Sequence, residues 1–224
     1  MLSAHSSAFR PGRSRSLRLS ERLWDLDWSQ HLPWMLDDVT VELGSFADAL
    51  PFIQAHYARI FNAEGNAGRF LGDPLTSAKR RFGDEMDVLM LRSAGATIGL
   101  LAAHPLDWST YYMRTVALLP EFRDRRLLTR LMHLTYEPLR AAGVERIEGD
   151  CSPANTPMMR MLVNEAFLVT STINSERWGS MLRFTKFLRE EAQEVFARQY
   201  CALPSKASHP LRRPLEVVPE RGNS

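Results

Sequence analysis

The stretch VALLPEFRDRRLL, residues 116–128, contains the change of pattern that most constrains the fold. Its first part ends an apolar strand that begins at Tyr111, and Pro120 terminates this strand because proline has no N–H to give to a sheet. Its last part opens a helix from about Arg126 to Ala142, in which leucines recur at helical spacing. A strand, an arginine-rich turn and an amphipathic helix in succession are typical of a domain that mixes sheet and helix.

Working outward from this stretch, alternating and helical patterns predict further strands and helices on both sides. Their order predicts one α/β (α+β) fold, a mixed, mostly antiparallel sheet flanked by helices. The predicted elements are a strand at Val39–Leu43, a helix capped by Asp48, a helix opening at Asp73-Pro74, strands at Asp87–Arg92, Thr97–His104 and Val144–Cys151, a helix from Asn155 or Thr156 to about Glu165, extended segments at Phe167–Ile173 and Met181–Leu188, and a terminal helix at Arg189–Tyr200.

A tryptophan-rich segment precedes the first predicted strand. Residues 23–36 include Trp24, Trp28 and Trp34, and three indole rings in so short a stretch need burial. We expect them to pack against the main core, with lining of a substrate pocket as the alternative.

Composition limits the class of protein. The chain has 224 residues, of which 45% are hydrophobic, enough for one well-buried domain. It has no apolar run of about 18 residues, so we expect no membrane span. Its two cysteines, Cys151 and Cys201, provide neither a disulfide framework nor metal-ligand spacing, so we expect no metal and a reducing, cytoplasmic location.

Both ends of the chain are basic and poor in apolar residues. Residues 1–22 and 202–224 are therefore predicted to be disordered tails, the second rich in proline, around a folded domain at 23–201. Neither tail carries the aromatic spacing or the groove-reading helix that would accompany nucleic-acid binding, so no nucleic-acid partner is expected.

Three stretches, in order and at the right separations, resemble the GNAT superfamily of N-acetyltransferases over residues 39–188. The first is the opening stretch, 116–128, and the second is the helix end and strand at 141–147. The third begins at Asn155 and ends in the pair Ala166-Phe167. The resemblance implies a GNAT-type fold and transfer of an acyl group from acetyl-CoA, or another acyl-CoA, to an amine.

The resemblance also implies where the thioester donor lies. In the family a splayed strand offers backbone groups to the pantetheine arm, and N–H groups at a helix N-terminus bind the pyrophosphate. Catalytic residues are not assigned by it and no metal is implied. The residues that it places around the donor are Val116, Leu118, Leu119, Arg123, Arg125, Arg126, Leu128, Thr129 and Asn155.

The turn departs from the family at both of its glycine-type positions, which here hold Arg126 and Leu128. Helical backbone angles do not require glycine, so we expect the N–H groups to keep their direction while space for the pyrophosphate shrinks. Arg125 or Arg126 could pair with the phosphates directly, or these arginines could form a solvated helix start. The sequence leaves both readings open.

A second departure concerns proton transfer. Leu162 stands where many members of the family carry a tyrosine that protonates the leaving thiolate, and leucine has no proton to donate. Glu148 or Asp150, which alternate along one strand, could accept the proton of the amine. The conceivable replacements for the missing acid are Tyr111, Tyr112, Cys151, His104 and His133.

The sequence leaves the acceptor and two alternative functions open. The acceptor is expected to be an amine of a small molecule or of a protein. One alternative replaces coenzyme A by an acyl carrier protein as the donor, and the other is a catalytically silent binding module with the same scaffold. A homodimer is also left open.

Overall fold

The computed structural model describes residues 17–61, 76–175 and 179–200. These residues form one eight-stranded sheet with the strand order β1-β2-β3-β4-β5-β6-β8-β7. Neighbouring strands are antiparallel except β5 and β6, which are parallel. The strands are β1 (Trp34–Leu36), β2 (Val39–Gly44), β3 (Asp87–Ser93), β4 (Ala96–Pro105), β5 (Thr110–Leu118), β6 (Arg146–Cys151), β7 (Leu168–Ser175) and β8 (Gly179–Phe187).

Helices cover both faces of this sheet. A parallel pair of strands needs a long crossover connection, and the helix α4 lies in the connection between β5 and β6. The helices are α1 (Leu19–Trp24), α2 (Phe46–Phe61), α3 (Ser77–Asp84), α4 (Leu127–Ala141), α5 (Thr156–Asn164) and α6 (Glu190–Tyr200), with short 3-10 turns at Trp28–Gln30 and Pro120–Arg125. None of the helices in the described ranges is long and apolar enough to cross a membrane.

Two cores form because strand side chains alternate between the faces of the sheet. On β3, Leu89 and Leu91 enter the core beneath α4 and α5, whereas Val88 and Met90 enter the core beneath α2. All four side chains are at most 1% exposed. The predicted mixed sheet with flanking helices is therefore confirmed, and each of its two faces carries its own hydrophobic core.

The N-terminal segment packs against the first of these cores. Trp28 is 1% exposed, and its ring lies 6.1 Å from that of Trp34 and 6.2 Å from that of Tyr111, so this indole packs as expected. Helix α1 begins at Leu19, so regular structure starts before residue 23, where the folded domain was predicted to begin. Residues 1–16 and 202–224, which were also assigned to the tails, and the Asp73-Pro74 pair lie outside the described ranges.

Helix α2 is capped differently from the prediction. The sequence pattern indicated Asp48 as the cap, but the helix begins one residue after Ser45. The Ser45 hydroxyl accepts a bond from the Asp48 N–H at 3.2 Å, and the Asp48 carboxylate accepts one from the Ser45 N–H at 2.9 Å. This reciprocal arrangement is a capping box, in which the acidic residue sits three positions into the motif.

A buried carboxylate ties the N-terminal segment to the sheet. Asp87, at the start of β3, is 1% exposed, and it accepts hydrogen bonds from the Ser20 hydroxyl at 2.7 Å and the Tyr111 hydroxyl at 3.1 Å. Burial raises the pKa of Asp87 to about 6, although both hydrogen bonds act in the opposite direction. The stability of the fold should therefore depend on pH through this one side chain.

Candidate active site

The parallel strands β5 and β6 separate in the middle of the sheet. They pair only from Thr110 with Arg146 to Met113 with Gly149. Beyond this point β5 continues to Leu118 along β4, while β6 continues along β8, and no described residue pairs with the freed side of β5. The freed backbone N–H and C=O groups can bind an extended ligand that enters between the two strands.

The N-terminus of α4 lies at the end of this freed strand. After Leu118 the chain makes the 3-10 turn and enters α4 at Leu127, and the first helical bond runs from the Arg130 N–H to the Arg126 carbonyl at 3.0 Å. No side chain caps this helix, so its first N–H groups are available to a ligand. Such groups, together with the helix dipole, attract phosphate.

The backbone of Arg126 does not have the helical angles that were expected at this glycine-type position. Arg126 has φ 54 and ψ 22, in the left-handed region that favours glycine. The turn thus adopts a conformation suited to glycine with arginine in that position. A side chain costs about 1–2 kcal/mol in this region, because its Cβ approaches the following carbonyl.

We therefore expect Arg126→Gly to raise the free energy of unfolding by about 0.5–1 kcal/mol, after the greater chain entropy of unfolded glycine is allowed for. Arg126→Ala is the matched control, because it removes the same guanidinium but keeps Cβ. Urea unfolding of the two variants separates the backbone effect from the loss of the side chain. Equal stabilities of the glycine and alanine variants would contradict the strain at this position.

The arginines around the turn contact groups of the protein itself. Arg123 donates to the Ile60 carbonyl at 2.7 Å and thereby ties the turn to the end of α2. Arg125 pairs with Asp38, and Arg130 pairs with Asp37 at 2.7 Å. Arg126 makes no ion pair with any described residue, so it is the arginine of the predicted set best placed to meet an anionic ligand.

The other residues predicted to surround the donor divide into backbone and side-chain groups. Leu118 and Leu119 are 3% and 7% exposed and enter opposite cores, so only their backbones can meet a ligand. Val116, Leu128 and Thr129 are half-buried near the freed strand and the first turn of α4. Asn155 caps α5, because its side-chain oxygen accepts a bond from the Met158 N–H at 3.3 Å.

A group of polar side chains lies on the face of the sheet that α2 covers, at the point where β5 and β6 begin to separate. Asp150 is the first β6 residue beyond the last β5–β6 pair. Its carboxylate accepts a bond from the Tyr112 hydroxyl at 2.9 Å and two from Arg183, at 2.9 and 3.1 Å. Burial, and then the contact with Asp150, raises the pKa of Tyr112 to about 12, so this hydroxyl keeps its proton at neutral pH.

The neighbouring carboxylate, Glu148, is held more loosely. Its nearest cations, Arg146 and Arg183, are each 3.4 Å away, and the Thr185 hydroxyl is also 3.4 Å away. In the strand register Glu148 of β6 lies opposite Tyr112 of β5, within the part of the sheet where these two strands are still paired. Of the two carboxylates predicted as proton acceptors, Asp150 is therefore the one at the opening.

Several residues considered as replacements for the missing acid are engaged elsewhere. Tyr111 is buried and bonded to Asp87, and burial raises its pKa well above the usual value. Cys151 is buried, which raises the pKa of its thiol to about 11 and argues against a nucleophilic role. His133 Nε2 lies 2.5 Å from a Glu165 carboxylate oxygen, and about half of the histidine side chain is exposed to solvent.

His104 and Leu162 also differ from what the reaction would require of an acid. His104 is 7% exposed, and its Nδ1 donates to the Pro105 carbonyl at 2.8 Å. Burial lowers the pKa of His104, so its ring is neutral near pH 7. Leu162 is 4% exposed within the main core. Tyr112 thus remains the candidate whose hydroxyl reaches the opening.

Sequence reasoning missed three members of this site. Arg183 and the pair Asp37 and Asp38 lie far along the chain from the residues that they contact. The pair could be recognised as a two-residue turn between short strands, but nothing local indicates which loop that turn faces. No group of three or more potential metal ligands occurs within the described ranges.

Comparison with known proteins finds one family model that matches the chain and several solved structures with a similar fold. Residues 54–164 match the model of the Acetyltransferase (GNAT) family. A search of curated proteins gave no match. The fold is similar to that of Ard1 from Thermoplasma volcanium, with a TM-score of 0.51 and 16% identity, over 69% of this chain and 100% of that one.

Two further solved structures have a similar fold. One is yncA, a putative acetyltransferase from Salmonella typhimurium with its cofactor acetyl-CoA; the TM-score is 0.52 and the identity 15%, over 69% of this chain and 96% of that one. The other is the ribosomal-protein-S18-alanine N-acetyltransferase from Escherichia coli, with a TM-score of 0.50 and 13% identity, over 67% of this chain and 94% of that one. At these identities the likeness concerns the fold.

Proposed function

We propose that the chain, whose residues 54–164 match the Acetyltransferase (GNAT) family, is a divergent member of that family and transfers an acetyl group from acetyl-CoA to a primary amine. One observation carries the proposal: the opening between β5 and β6 leads directly to the uncapped N-terminus of α4. An extended thioester arm and its anionic end need these two features side by side.

The donor fits the groups present at this opening. The freed backbone of β5, from Arg114 to Leu118, can hydrogen-bond the amide groups of the pantetheine arm. The first N–H groups of α4 are not capped by a side chain and can bind the pyrophosphate, and the guanidinium of Arg126, at the N-cap position, can add a charged contact. The left-handed backbone of Arg126 keeps the turn in a glycine-like shape despite its bulk.

Proton transfer can be assigned to the polar pair at the opening. We assign Asp150 as the acceptor of the proton that the amine nitrogen loses after it attacks the thioester carbonyl. Arg183 donates two hydrogen bonds to this carboxylate and thereby fixes its orientation at the opening. Tyr112, which keeps its proton at neutral pH, donates that proton to the departing thiolate.

The two residues then return to their starting states without an outside reagent. The hydrogen bond of 2.9 Å between them allows protonated Asp150 to return its proton to the Tyr112 phenolate. The net result is one C–N bond formed, one C–S bond broken, and one proton moved from nitrogen to sulfur. Tyr112 therefore supplies the acid that Leu162 cannot.

The test combines donor binding with turnover. Calorimetry should detect binding of acetyl-CoA, and release of free thiol should exceed the background when the protein is given a panel of primary amines. The panel should contain a polyamine, an aminoglycoside and a short peptide with a free amino terminus. Binding without turnover would direct the search to other acceptors, and the absence of both binding and turnover would contradict the proposal and favour a silent scaffold.

A further inference from the structure

Two acidic residues form ion pairs with the arginines beside the uncapped N-terminus of α4. Asp37 and Asp38 form the turn between β1 and β2, and this turn reaches the start of α4. Asp38 pairs with Arg125, before the helix, and Asp37 pairs with Arg130, in its first turn, at 2.7 Å. The two ion pairs thus bracket the N–H groups that would receive a phosphate.

The position of this turn is held by more than the ion pairs. The Ser93 hydroxyl, at the end of β3, donates to Asp38 at 3.0 Å. Leu36, immediately before the two aspartates, is 3% exposed in the core that also contains Leu127 of α4. The carboxylates are therefore anchored from behind and meet the arginines at the surface.

We propose that Asp37 and Asp38 determine donor specificity by competing with the phosphates of the donor for Arg125 and Arg130. This inference rests on the proposed function, because it concerns the donor of the same site. A pyrophosphate that enters must take the arginines from the aspartates and must also lie near two negative charges. A thioester without phosphates avoids both penalties. The two aspartates therefore reduce the difference in affinity between coenzyme A thioesters and shorter pantetheine donors.

The solvent exposure of the four groups makes this exchange accessible. Side-chain exposure is 33% for Arg125 and 40% for Arg130, against 60% for Asp38 and 62% for Asp37. Exposed ion pairs are weak and are screened by salt, so a polyvalent phosphate can replace the carboxylates. Contacts between arginine and phosphate are frequently bidentate and stronger than those of an exposed carboxylate pair.

The experiment compares wild type with the double variant Asp37→Asn, Asp38→Asn. Asparagine keeps the size of the side chain and an oxygen that can accept the Ser93 bond, so the fold should survive; a thermal melt checks this. We expect the variant to bind acetyl-CoA and inorganic pyrophosphate about fivefold to tenfold more tightly by calorimetry at low salt. Binding of acetyl-pantetheine, which lacks phosphates, should remain unchanged.

Asp124→Asn is the matched control, because it removes a negative charge from the 3-10 turn before α4 at a residue that makes no ion pair with the described residues. It should tighten binding less than twofold. Unchanged or weaker binding of pyrophosphate by the double variant would overturn the inference, since the aspartates would then orient the arginines. If pyrophosphate binding tightens but neither protein binds acetyl-CoA or releases its thiol with any amine of the panel, the aspartates still compete for the arginines while the proposed function fails.

Discussion

Asp150→Asn is expected to lower kcat of acetyl transfer by about 10²–10³-fold, the usual contribution of a general base. Asparagine has nearly the same shape but cannot take the proton of the attacking amine. It also cannot return a proton to Tyr112, so the step at sulfur should suffer as well. The measurement is thiol release at saturating acetyl-CoA, with the amine of the panel that reacts fastest.

Two other variants separate catalysis from the structural role of this cluster. Glu148→Gln makes the same chemical change two residues earlier, in the closed part of the sheet, and should lower kcat by less than tenfold. Tyr112→Phe should lower kcat by about 10–100-fold, because water can replace a proton donor in part. Donor affinity should be unchanged in all three. A kcat for Asp150→Asn within threefold of wild type would exclude Asp150 as the base.

Asp87→Asn is expected to remove most of the pH dependence of stability between about pH 4 and pH 7. The pKa of Asp87 is about 6 in the folded protein, against 3.8 when unfolded, so the folded state binds the proton more tightly. The contribution of this tighter proton binding to the free energy of unfolding is fully present below pH 3.8 and is lost as the pH rises through 6. Over this range wild type should lose about 2–3 kcal/mol relative to the variant.

Urea unfolding at pH 4, 5, 6 and 7 measures this difference directly. Asp84→Asn, at the exposed end of α3, is a control for the loss of a carboxylate as such, and its curve should run parallel to that of wild type. If Asp87→Asn also runs parallel to wild type, the carboxylate is not desolvated in solution, and the contact of the N-terminal segment with β3 is looser than described. The test is independent of substrate.

Local patterns were sufficient for most of the secondary structure, because hydrophobic periodicity reports which face of an element is buried. The hairpin of β3 and β4 and the helices α4 and α5 were all predicted close to their observed limits. The cap of α2 was assigned to Asp48 and lies at Ser45, since both residues belong to one capping box and either can begin such a motif.

The turn before α4 shows where local reasoning ends. The resemblance of its residues to the family's turn implied a phosphate-binding segment, but the residues did not predict the left-handed backbone of Arg126, which the surrounding structure imposes. Nor did they predict that Arg125 would face Asp38, 87 positions away along the chain. Contacts at such separations depend on how strands are ordered in the sheet, and a local pattern contains no information about that order.

The sequence by itself therefore determined the class of fold, the elements on either side of 116–128 and the resemblance that led to the donor. Only the tertiary structure decided which side chains meet at the opening. Tyr112, Asp150 and Arg183 come from β5, β6 and β8, and they converge because a parallel strand pair sits within an otherwise antiparallel sheet. The sheet order brings these strands side by side, and alternation along each strand places their side chains on one face.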